Sequence, residues 1–278
     1  MSGGLLYLLL SGRALWVGFG LTLIGVAIGG RWPRIGVGLA LIGTITAGAS
    51  SVPLHPALYC ALSAAGLTWL ATRRRSRTAR TAASALLSAV VLAMAASEAR
   101  FALALPKPSR AHGPIYVLGD SLTAGLGRDR DGTWPALVAS SLGRPVHNLA
   151  RPGARLRDGI LQASALAGDA GEVLIELGGN DILGGVAPAE FARDLRNLLE
   201  RVSAPDRTLV MFELPLLPLQ NAYGRAQREL ASEFGVRLLP RRVLASAVAG
   251  PGHTIDGLHL SRAGHACLAN EVSKALTN

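Results

Sequence analysis

The pattern of apolar and polar positions changes near residue 110 of the 278-residue chain. Upstream, four long runs contain no Asp, Glu, Lys or Arg: Ala14–Gly30, Ile35–Val52, Leu54–Ala71 and Thr81–Ser97. The length of each run lies within the ~17–25 residues that a helix needs to cross a hydrocarbon core. Four such runs in succession are hard to accommodate in water, so the sequence predicts four transmembrane helices within residues 1–105 rather than a buried helical domain. The short run Leu5–Leu10 is expected to extend the first helix past Arg13.

Downstream, strand-like and helix-like patterns alternate. Strands are predicted at Ile115–Leu118, Pro145–Leu149, Glu172–Leu177, Thr208–Phe212 and Val236–Leu239. Helices are predicted at Thr133–Leu142, Ala154–Ala167, Pro188–Val202, Ala222–Phe234 and Ser261–Leu276. This alternation favours an α/β fold with a mostly parallel sheet and helices on both faces, in a domain over residues 114–278. The stretch 106–113 is then a linker.

The charge distribution supports the membrane assignment and gives it a direction. Residues 1–110 contain eleven Lys and Arg against one acidic residue, Glu98, so the formal net charge of +10 arises there. The basic residues lie between apolar runs and form no basic face, which disfavours nucleic acid as a partner. Arg31 and Arg34 lie in the first inter-helix loop, and five arginines within Arg73–Arg80 lie in the third. Arginine-rich loops stay in the cytoplasm, so the chain is expected in a bacterial plasma membrane with residues 114–278 on the periplasmic or extracellular side.

Four polar blocks stand where ligands bind in parallel sheets, beyond the carboxyl ends of the strands. Three follow predicted strands, and the fourth lies near the end of the domain. They are Gly119-Asp120-Ser121-Leu122, Asn148-Leu149-Ala150-Arg151-Pro152-Gly153, Gly178-Gly179-Asn180-Asp181 and Asp256-Gly257-Leu258-His259. All four are expected on one rim of the sheet.

These blocks contain the residue types of nucleophilic catalysis. A serine hydroxyl needs a base, so Ser121 is the candidate nucleophile and His259 the candidate general base. Asp256, three residues earlier, can hold the imidazole tautomer. Structural alternatives exist for each: Ser121 can cap a helix, Asn180 can be a turn residue and Asp256 can cap the last turn.

Three other histidines compete with His259 for the role of base. His147 lies beside a predicted strand, His253 lies in a Gly/Pro-rich loop, and His265 is expected on the surface of the last helix. Asp120 and Asp181 are expected to orient other groups or cap turns. The spacing of the His, Cys, Asp and Glu residues suggests no metal site, and no nucleotide-binding glycine motif occurs, so no cofactor is expected.

Through these blocks, residues 114–272 resemble the GDSL/SGNH hydrolase family and, within it, the bacterial thioesterase, lysophospholipase and arylesterase group. The resemblance implies a flavodoxin-like, three-layer α/β fold with a parallel sheet. It also implies Ser121, Asp256 and His259 as catalytic residues. The oxyanion hole would consist of the backbone N–H groups of Ser121 and Gly153 and the side-chain amide of Asn180. Arg151-Pro152 precedes Gly153 in a region that varies within the family, which makes the Gly153 assignment the least constrained.

The expected activity is hydrolysis of acyl esters, with a small-molecule or lipid substrate of the lysophospholipid, thioester or aryl ester type. The apolar stretch Leu214–Leu219 follows the fourth strand and either lines an acyl-chain pocket, touches the bilayer or packs on the core of the domain. Two other functions stay open: an O-acetyl esterase or acyltransferase of envelope glycans, and an inactive membrane sensor or scaffold with a hydrolase fold. The sequence indicates no oligomeric state.

Overall fold

A computed structural model of the chain describes residues 3–103, 113–125, 132–166, 168 and 171–277. The chain forms two compact units. The helical unit comprises Leu8–Ala104 and Leu216–Asn221, and the α/β unit comprises Met1–Tyr7, Leu105–Pro215 and Ala222–Asn278. The predicted linker, apart from Gly113, lies outside the described residues.

Each of the four apolar runs coincides with one helix. The first 110 residues contain α1 Gly3–Leu10, α2 Arg13–Ile28, α3 Pro33–Gly48, α4 Pro56–Ala71, a 3-10 turn Thr72–Arg74 and α5 Arg77–Ala102. Pro33 and Pro56 occupy the first turns of their helices, where proline loses no hydrogen bond. The side chain of Ser76 caps α5 by accepting a hydrogen bond from the Ala79 N–H at 3.3 Å.

The helix lengths only partly fit four membrane spans. With 16 residues each, α2, α3 and α4 are about 24 Å long at ~1.5 Å per residue. Within the described residues, α5 is the one helix long and apolar enough to cross a membrane alone. The pair formed by α1 and α2 would make a second span, but it is bent by 90°. Gly12, with φ 78°, breaks the helix there, so the expectation that Leu5–Leu10 extends the first helix is wrong.

Helices α2 and α3 pack with their backbones in contact. A Cβ atom on Gly18 would lie 2.7 Å from the Gly43 carbonyl oxygen, and one on Gly25 would lie 2.6 Å from that of Gly36. Such close approach through small residues is typical of helix pairs in membranes.

A five-stranded parallel sheet forms the centre of the α/β unit. Its strands are β1 Ile115–Gly119, β2 Val146–Asn148, β3 Gly171–Glu176, β4 Arg207–Phe212 and β5 Arg237–Leu239. They lie in the order β2-β1-β3-β4-β5, and every neighbouring pair is parallel. This confirms the predicted α/β fold, and the order is that of flavodoxin-like sheets.

Helices connect and cover the strands. They are α6 Ser121–Ala124, α7 Trp134–Leu142, α8 Leu156–Ala163, α9 Gly179–Leu183, α10 Pro188–Val202, α11 Asn221–Glu233, α12 Arg242–Ala249 and α13 Arg262–Thr277. One hydrophobic cluster joins β1, β3 and β4 to α7, α12 and α13. The alternate strand positions, including Leu118 and Ile175, are also fully buried. Both faces of the sheet are therefore covered at its centre, which explains the apolar runs in β1, β3 and β4.

A buried ion cluster fixes the chain where β4 ends. Glu213 accepts hydrogen bonds from Arg228 Nε at 2.7 Å and from Arg241 Nη2 at 2.8 Å. Burial alone would raise the pKa of Glu213, but the two guanidinium groups lower it to about 2. The paired charges hold α11 and the start of α12 against the end of β4.

Candidate active site

The sheet order creates a cleft between β1 and β3. The chain leaves β1 toward the β2 edge and leaves β3 toward the β4 edge, so the two connections diverge. Ligands bind in parallel sheets at such a switch point. Ser121 follows β1 and Asn180 follows β3, so the fold places these two predicted site residues at this point.

Local geometry fixes the position of Ser121. Asp120 caps α6 by accepting the Leu122 N–H at 2.9 Å, which places Ser121 first in that helix. Gly119 is needed before it, because a Cβ atom there would lie 2.6 Å from Thr123 Cβ. Ser121 is half-buried, and among the described residues its hydroxyl has no hydrogen-bond partner.

Asn180 joins its own block to the first polar block and to the residue that follows the second. Its Nδ2 donates to Asp120 Oδ2 at 3.0 Å and to the Ala154 carbonyl oxygen at 3.1 Å. Gly178, with φ 110°, makes the turn that places Asn180 there. Both amide hydrogens are engaged, so an oxyanion has to replace or share one of these acceptors.

Gly153 lies in the turn that ends at Ala154, with φ 76° and an exposed surface. The Ala154 N–H donates to the Arg151 carbonyl oxygen at 3.1 Å and closes this turn. The backbone N–H groups of Gly153 and Ser121 have no acceptor in the described part of the chain. Both are thus available to a substrate oxygen.

Asp181 fixes the loop of Gly153 to the end of β3. It is fully buried, and its Oδ2 accepts the Leu156 N–H at 3.0 Å. Burial raises the pKa of Asp181, and the bond from Leu156 partly offsets this. Its position is that of the orienting residue expected from the sequence.

His259 and Asp256 form a directed pair. His259 Nδ1 lies 2.6 Å from Asp256 Oδ2. Asp256 Oδ1 also accepts the backbone N–H groups of His259 at 2.8 Å and of Leu258 at 3.0 Å. The N–H groups of His259, backbone and ring, and that of Leu258 hold the pKa of Asp256 well below its usual range. Asp256 therefore caps the turn and also binds the imidazole. Because the carboxylate accepts the Nδ1–H of His259, the lone pair of Nε2 is free to accept a proton.

The other histidines have structural partners. His147 stacks on Tyr116, with ring centroids 5.0 Å apart, and His253 Nδ1 lies 3.0 Å from the Ser246 carbonyl oxygen. His265 Nδ1 accepts the Trp134 N–H at 3.3 Å. His265 is only 6% exposed, so its expected surface position is wrong: α13 turns this side toward α7 and the core.

Sequence reasoning missed a buried carboxyl group beneath the site. Glu176, the last residue of β3, is 1% exposed. Its Oε2 accepts from Thr123 Oγ1 at 2.8 Å and from the Asp120 N–H at 3.5 Å. A charged residue at the end of the apolar stretch Val173–Ile175 was the available signal.

The pKa values of Asp120 and Glu176 are both raised. Burial raises the pKa of Glu176 well above its ordinary value, and the neighbouring Asp120 adds to this rise. Burial also raises the pKa of Asp120, but the Leu122 N–H, Glu176 and the charge of His259 oppose the rise. We therefore assign the proton to Glu176, which donates to an ionised Asp120.

A second missed residue is Gln162 of α8. Its amide exchanges two hydrogen bonds with the backbone of Gly119, at 3.0 and 2.9 Å. It thereby anchors the end of β1 immediately before Asp120 and Ser121.

The predicted set is thus assembled only in part. Asp256 and His259 are paired, and Asn180 is bonded to Asp120 and to the residue after Gly153. No hydrogen bond joins the Ser121 hydroxyl to His259 in the described part of the molecule. Catalytic hydrogen bonds are often long before substrate binds, so this geometry is compatible with a nucleophile and base that close on substrate.

The stretch Leu214–Leu219 has a buried first half and an exposed second half. Leu214 and Leu216 are 4% and 1% exposed, whereas Leu217 and Leu219 are 46% and 100% exposed. Leu217 and Leu219 are therefore the side chains that can meet a substrate or a bilayer. Among the described residues, no group of three or more His, Cys, Asp or Glu side chains is arranged to hold a metal ion.

Comparison with known proteins agrees with these motifs. Residues 117–267 match the model of the GDSL-like lipase/acylhydrolase family. The chain is 31% identical over 174 residues to thioesterase 1/protease 1/lysophospholipase L1 of Escherichia coli strain K12, with coverage of 58% of this chain and 82% of that protein. It is 29% identical over 151 residues to esterase TesA of Pseudomonas aeruginosa, with coverage of 50% and 75%.

Solved structures give the same result for the fold. A crystal structure of TesA matches with a TM-score of 0.54 at 28% identity, covering 59% of this chain and 97% of that one. The psychrotrophic esterase EstA from Pseudoalteromonas sp. matches with a TM-score of 0.53 at 20% identity, over 59% and 97% of the two chains, which shows a shared fold. The family match begins after α5, and the resemblance found in the sequence is confirmed.

The neutral form of Glu176 can be tested with two substitutions. Glu176→Gln is expected to leave kcat/KM for an ester within about threefold of the wild-type value, because the amide can donate to Asp120 and accept from Thr123. Glu176→Leu removes both bonds and is expected to lower kcat/KM by about tenfold or more. Equal losses in the two variants would contradict the assignment.

Thermal unfolding against pH provides an independent readout. A carboxyl with a raised pKa contributes most to stability at low pH, and this contribution is lost as the pH rises above its unfolded value. The Gln variant does not titrate, so its stability relative to wild type is expected to rise as the pH increases above 4.5, the ordinary pKa of a glutamate. A constant difference would show that Glu176 is ionised throughout.

Proposed function

The chain belongs to the GDSL-like lipase/acylhydrolase family and is a carboxylic ester hydrolase, and from this we propose that Ser121, His259 and Asp256 hydrolyse acyl esters at the outer surface of a bacterial membrane. The observation that carries the catalytic part is the pairing of Asp256 with His259 Nδ1 at 2.6 Å. It leaves Nε2 as the nitrogen that can take a proton from a nucleophile.

In the first step, Ser121 Oγ attacks the ester carbonyl carbon. His259 Nε2 takes the hydroxyl proton, and Asp256 stabilises the resulting imidazolium. A tetrahedral intermediate forms, with the negative charge on the former carbonyl oxygen. General base catalysis of this kind contributes typically ~10²–10⁴ in rate.

Three donors stabilise that oxygen. The N–H groups of Ser121 and Gly153 have no acceptor among the described residues. The third donor, Asn180 Nδ2, is bonded to the carbonyl oxygen of Ala154, the residue after Gly153. Removing one such donor costs about 10²–10³ in turnover in comparable sites.

The intermediate then collapses. The bond to the leaving alkoxide or thiolate breaks, and His259 Nε2 returns its proton to the leaving group. Water attacks the acyl-serine, His259 accepts the proton of the water, and a second tetrahedral intermediate releases the acid and restores Ser121.

Apolar side chains beside the proposed base favour an acyl-chain substrate. Ile255 and Leu258 flank the Asp256–His259 turn and are 66% and 45% exposed. Leu183, in the helix of Asn180, is 69% exposed. Exposed apolar groups at a catalytic rim gain free energy when an alkyl chain covers them, about 0.8 kcal/mol per buried CH₂. We assign long-chain acyl esters or thioesters as the substrate class, with acetate esters of envelope glycans as the alternative.

The helical unit anchors the enzyme in the membrane. Several of its large apolar side chains face outward: Ile24, Ile42, Ile45, Leu67 and Leu92 are each more than half exposed. Its interior combines small residues such as Gly18 and Ala47 with large ones such as Trp69 and Leu87. A water-soluble bundle covers its outer face with polar residues instead, so this apolar surface fits a lipid environment. Helices α2–α4 are shorter than a typical membrane span. They can be accommodated without tilting if the bilayer thins locally around them or if flanking residues extend to its surface.

The catalytic assignment is tested with a panel of p-nitrophenyl esters. Ser121→Ala is expected to abolish turnover, and Asp256→Asn to lower kcat by about 10²–10⁴, because the imidazole loses its preferred tautomer. Ser232→Ala and Asp206→Asn, at exposed positions away from the strand ends that carry the site, are matched controls that should keep wild-type rates. Full activity of Ser121→Ala would overturn the proposal.

Chain-length preference tests the substrate class. Wild type is expected to hydrolyse octanoate faster than acetate, and Ile255→Asn or Leu258→Asn to lower the octanoate-to-acetate ratio of kcat/KM by about tenfold. The control is Leu161→Asn, because Leu161 on α8 is also exposed, at 63%. An enzyme restricted to acetate, or one that transfers acyl groups to a sugar, would favour the envelope-glycan alternative.

Reporter fusions test the orientation. Alkaline phosphatase fused after Asn278 is expected to be active, because it folds only outside the cytoplasm, whereas the same reporter fused after Arg75 is expected to be inactive. Fluorescent-protein fusions at both points should give the reverse pattern. A phosphatase that is inactive after Asn278 and active after Arg75 would invert the topology.

A further inference from the structure

The helical unit contains a cavity of about 600 Å³ at its arginine-rich end. The connection between α2 and α3, the first turns of α3, the end of α4 and the start of α5 form its walls. Four of its lining residues are arginines: Arg34, Arg73, Arg74 and Arg80. The hydrolase site lies in the other unit and uses none of them.

The cavity has an unbalanced positive charge. Within the described residues, none of the four guanidinium groups has a carboxylate within salt-bridge distance. Glu98 is the one acidic residue among the first 110, and it follows Arg80 by 18 positions on α5, about 27 Å along the helix. No acidic side chain of this segment can neutralise the cavity.

The arginines differ in how they are held. Arg73 is fixed, because its Nη2 donates to the Gly29 carbonyl oxygen at 2.6 Å and its guanidinium lies 4.7 Å from the centre of the Trp69 ring. The side chains of Arg34, Arg74 and Arg80 make no hydrogen bond or ion pair in the part of the chain that is described. Their donors are available, and guanidinium groups match the oxygens of a phosphate.

An apolar groove continues from this cavity between α3 and α4. It has a volume of about 260 Å³ and shares Leu70 with the cavity. Its other walls include Leu41, Ile45 and Leu67. The hydroxyl groups of Thr44 and Ser63 in the groove are already bonded to carbonyl oxygens of their own helices, at 2.8 and 3.0 Å. The groove is therefore lined mainly by apolar atoms, and the donors of these two hydroxyl groups are already used.

The groove arises from the way α3 packs. On one side α3 meets α2 backbone to backbone, through the glycines described above. On the other side a Cβ atom on Gly66 would have only the Thr44 side chain nearby, at 3.5 Å. The same helix is thus closely packed on one side and leaves space on the other.

We propose that this cavity and groove bind one anionic phospholipid, with the phosphate among the arginines and one acyl chain between α3 and α4. Charge complementarity selects an anionic head group. Because the cavity and the groove share Leu70, the acyl chain of the same lipid can lie in the groove. The proposal depends on the membrane placement above for access to lipid, but it does not depend on the catalytic assignment. In the predicted topology the arginines face the cytoplasmic leaflet, where anionic lipids attract basic residues.

The experiment uses the full chain in an uncharged detergent, with lipid binding measured by native mass spectrometry. The probes are phosphatidylglycerol, phosphatidylcholine, glycerol 3-phosphate and inorganic phosphate. Phosphatidylglycerol is expected to bind at least about tenfold more tightly than phosphatidylcholine, because only the former has a net negative charge. It is also expected to bind more tightly than either chain-free anion, because the groove adds apolar contact.

Paired substitutions separate the site from general attraction. Arg34→Gln with Arg74→Gln is expected to weaken phosphatidylglycerol binding by about tenfold or more. Arg75→Gln with Arg77→Gln changes the net charge equally, at residues that do not line the cavity, and should shift affinity by less than about twofold. Gly66→Leu fills the groove and should weaken the lipid but leave inorganic phosphate binding unchanged.

Several outcomes would overturn the proposal. An equal loss of phosphatidylglycerol affinity in the two arginine double variants would mean non-specific attraction. Equal affinity for phosphatidylglycerol and phosphatidylcholine would mean that the arginines do not select an anionic head group. Inorganic phosphate binding as tightly as phosphatidylglycerol would indicate a free-anion site. Ester hydrolysis is measured on every variant, so loss of lipid binding with unchanged turnover remains distinct from failure of the catalytic proposal. Turnover also shows that the α/β unit folds in each variant, and unchanged inorganic phosphate binding by Gly66→Leu shows that its cavity is intact.

Discussion

The carboxylate of Asp120 links the two central strands to the site at their ends. One oxygen accepts the Leu122 N–H and starts α6 at Ser121, and the other accepts Asn180 from the loop after β3. Glu176 lies buried beneath it and accepts the Asp120 N–H, so a second carboxyl group supports the same junction. The parallel sheet brings β1 and β3 side by side, but only such cross-links fix their diverging loops to within hydrogen-bond distance. The positions of Ser121, Asn180 and Gly153 all depend on this junction.

The part of the fold that follows from the sequence is the part with strong periodicity. Helix α10 was predicted from Pro188 to Val202 and has those bounds, because its apolar face and its first-turn proline agree. Helix α12 was not predicted, because Arg242–Ala249 is short and has few polar positions to mark a face. His265 was assigned to the surface because helical periodicity does not show that α13 packs against α7. The bend at Gly12 depends on one left-handed residue within an apolar stretch.

Some residues of the candidate site could be predicted from the sequence and others could not. Its motif residues could be named from the sequence because each follows a strand and belongs to a recognisable block. Glu176 and Gln162 could not, because they lie under the motifs, on a strand and a helix whose patterns are dominated by apolar neighbours. The dual role of Asp256 also required coordinates, since capping a turn and binding an imidazole use different oxygens of one carboxylate.

The double engagement of Asn180 has a consequence for selectivity between reaction states. In the resting site the Ala154 carbonyl oxygen occupies one of the two amide hydrogens. The neutral carbonyl of a bound ester is a weaker acceptor than this peptide carbonyl and gains nothing by displacing it. A full negative charge attracts the amide roughly twice as strongly and can take its place. Under the proposed mechanism, Ala154 acts as an internal competitor that withholds this donor from the substrate and yields it to the tetrahedral intermediate, so the interaction lowers the barrier without tightening substrate binding.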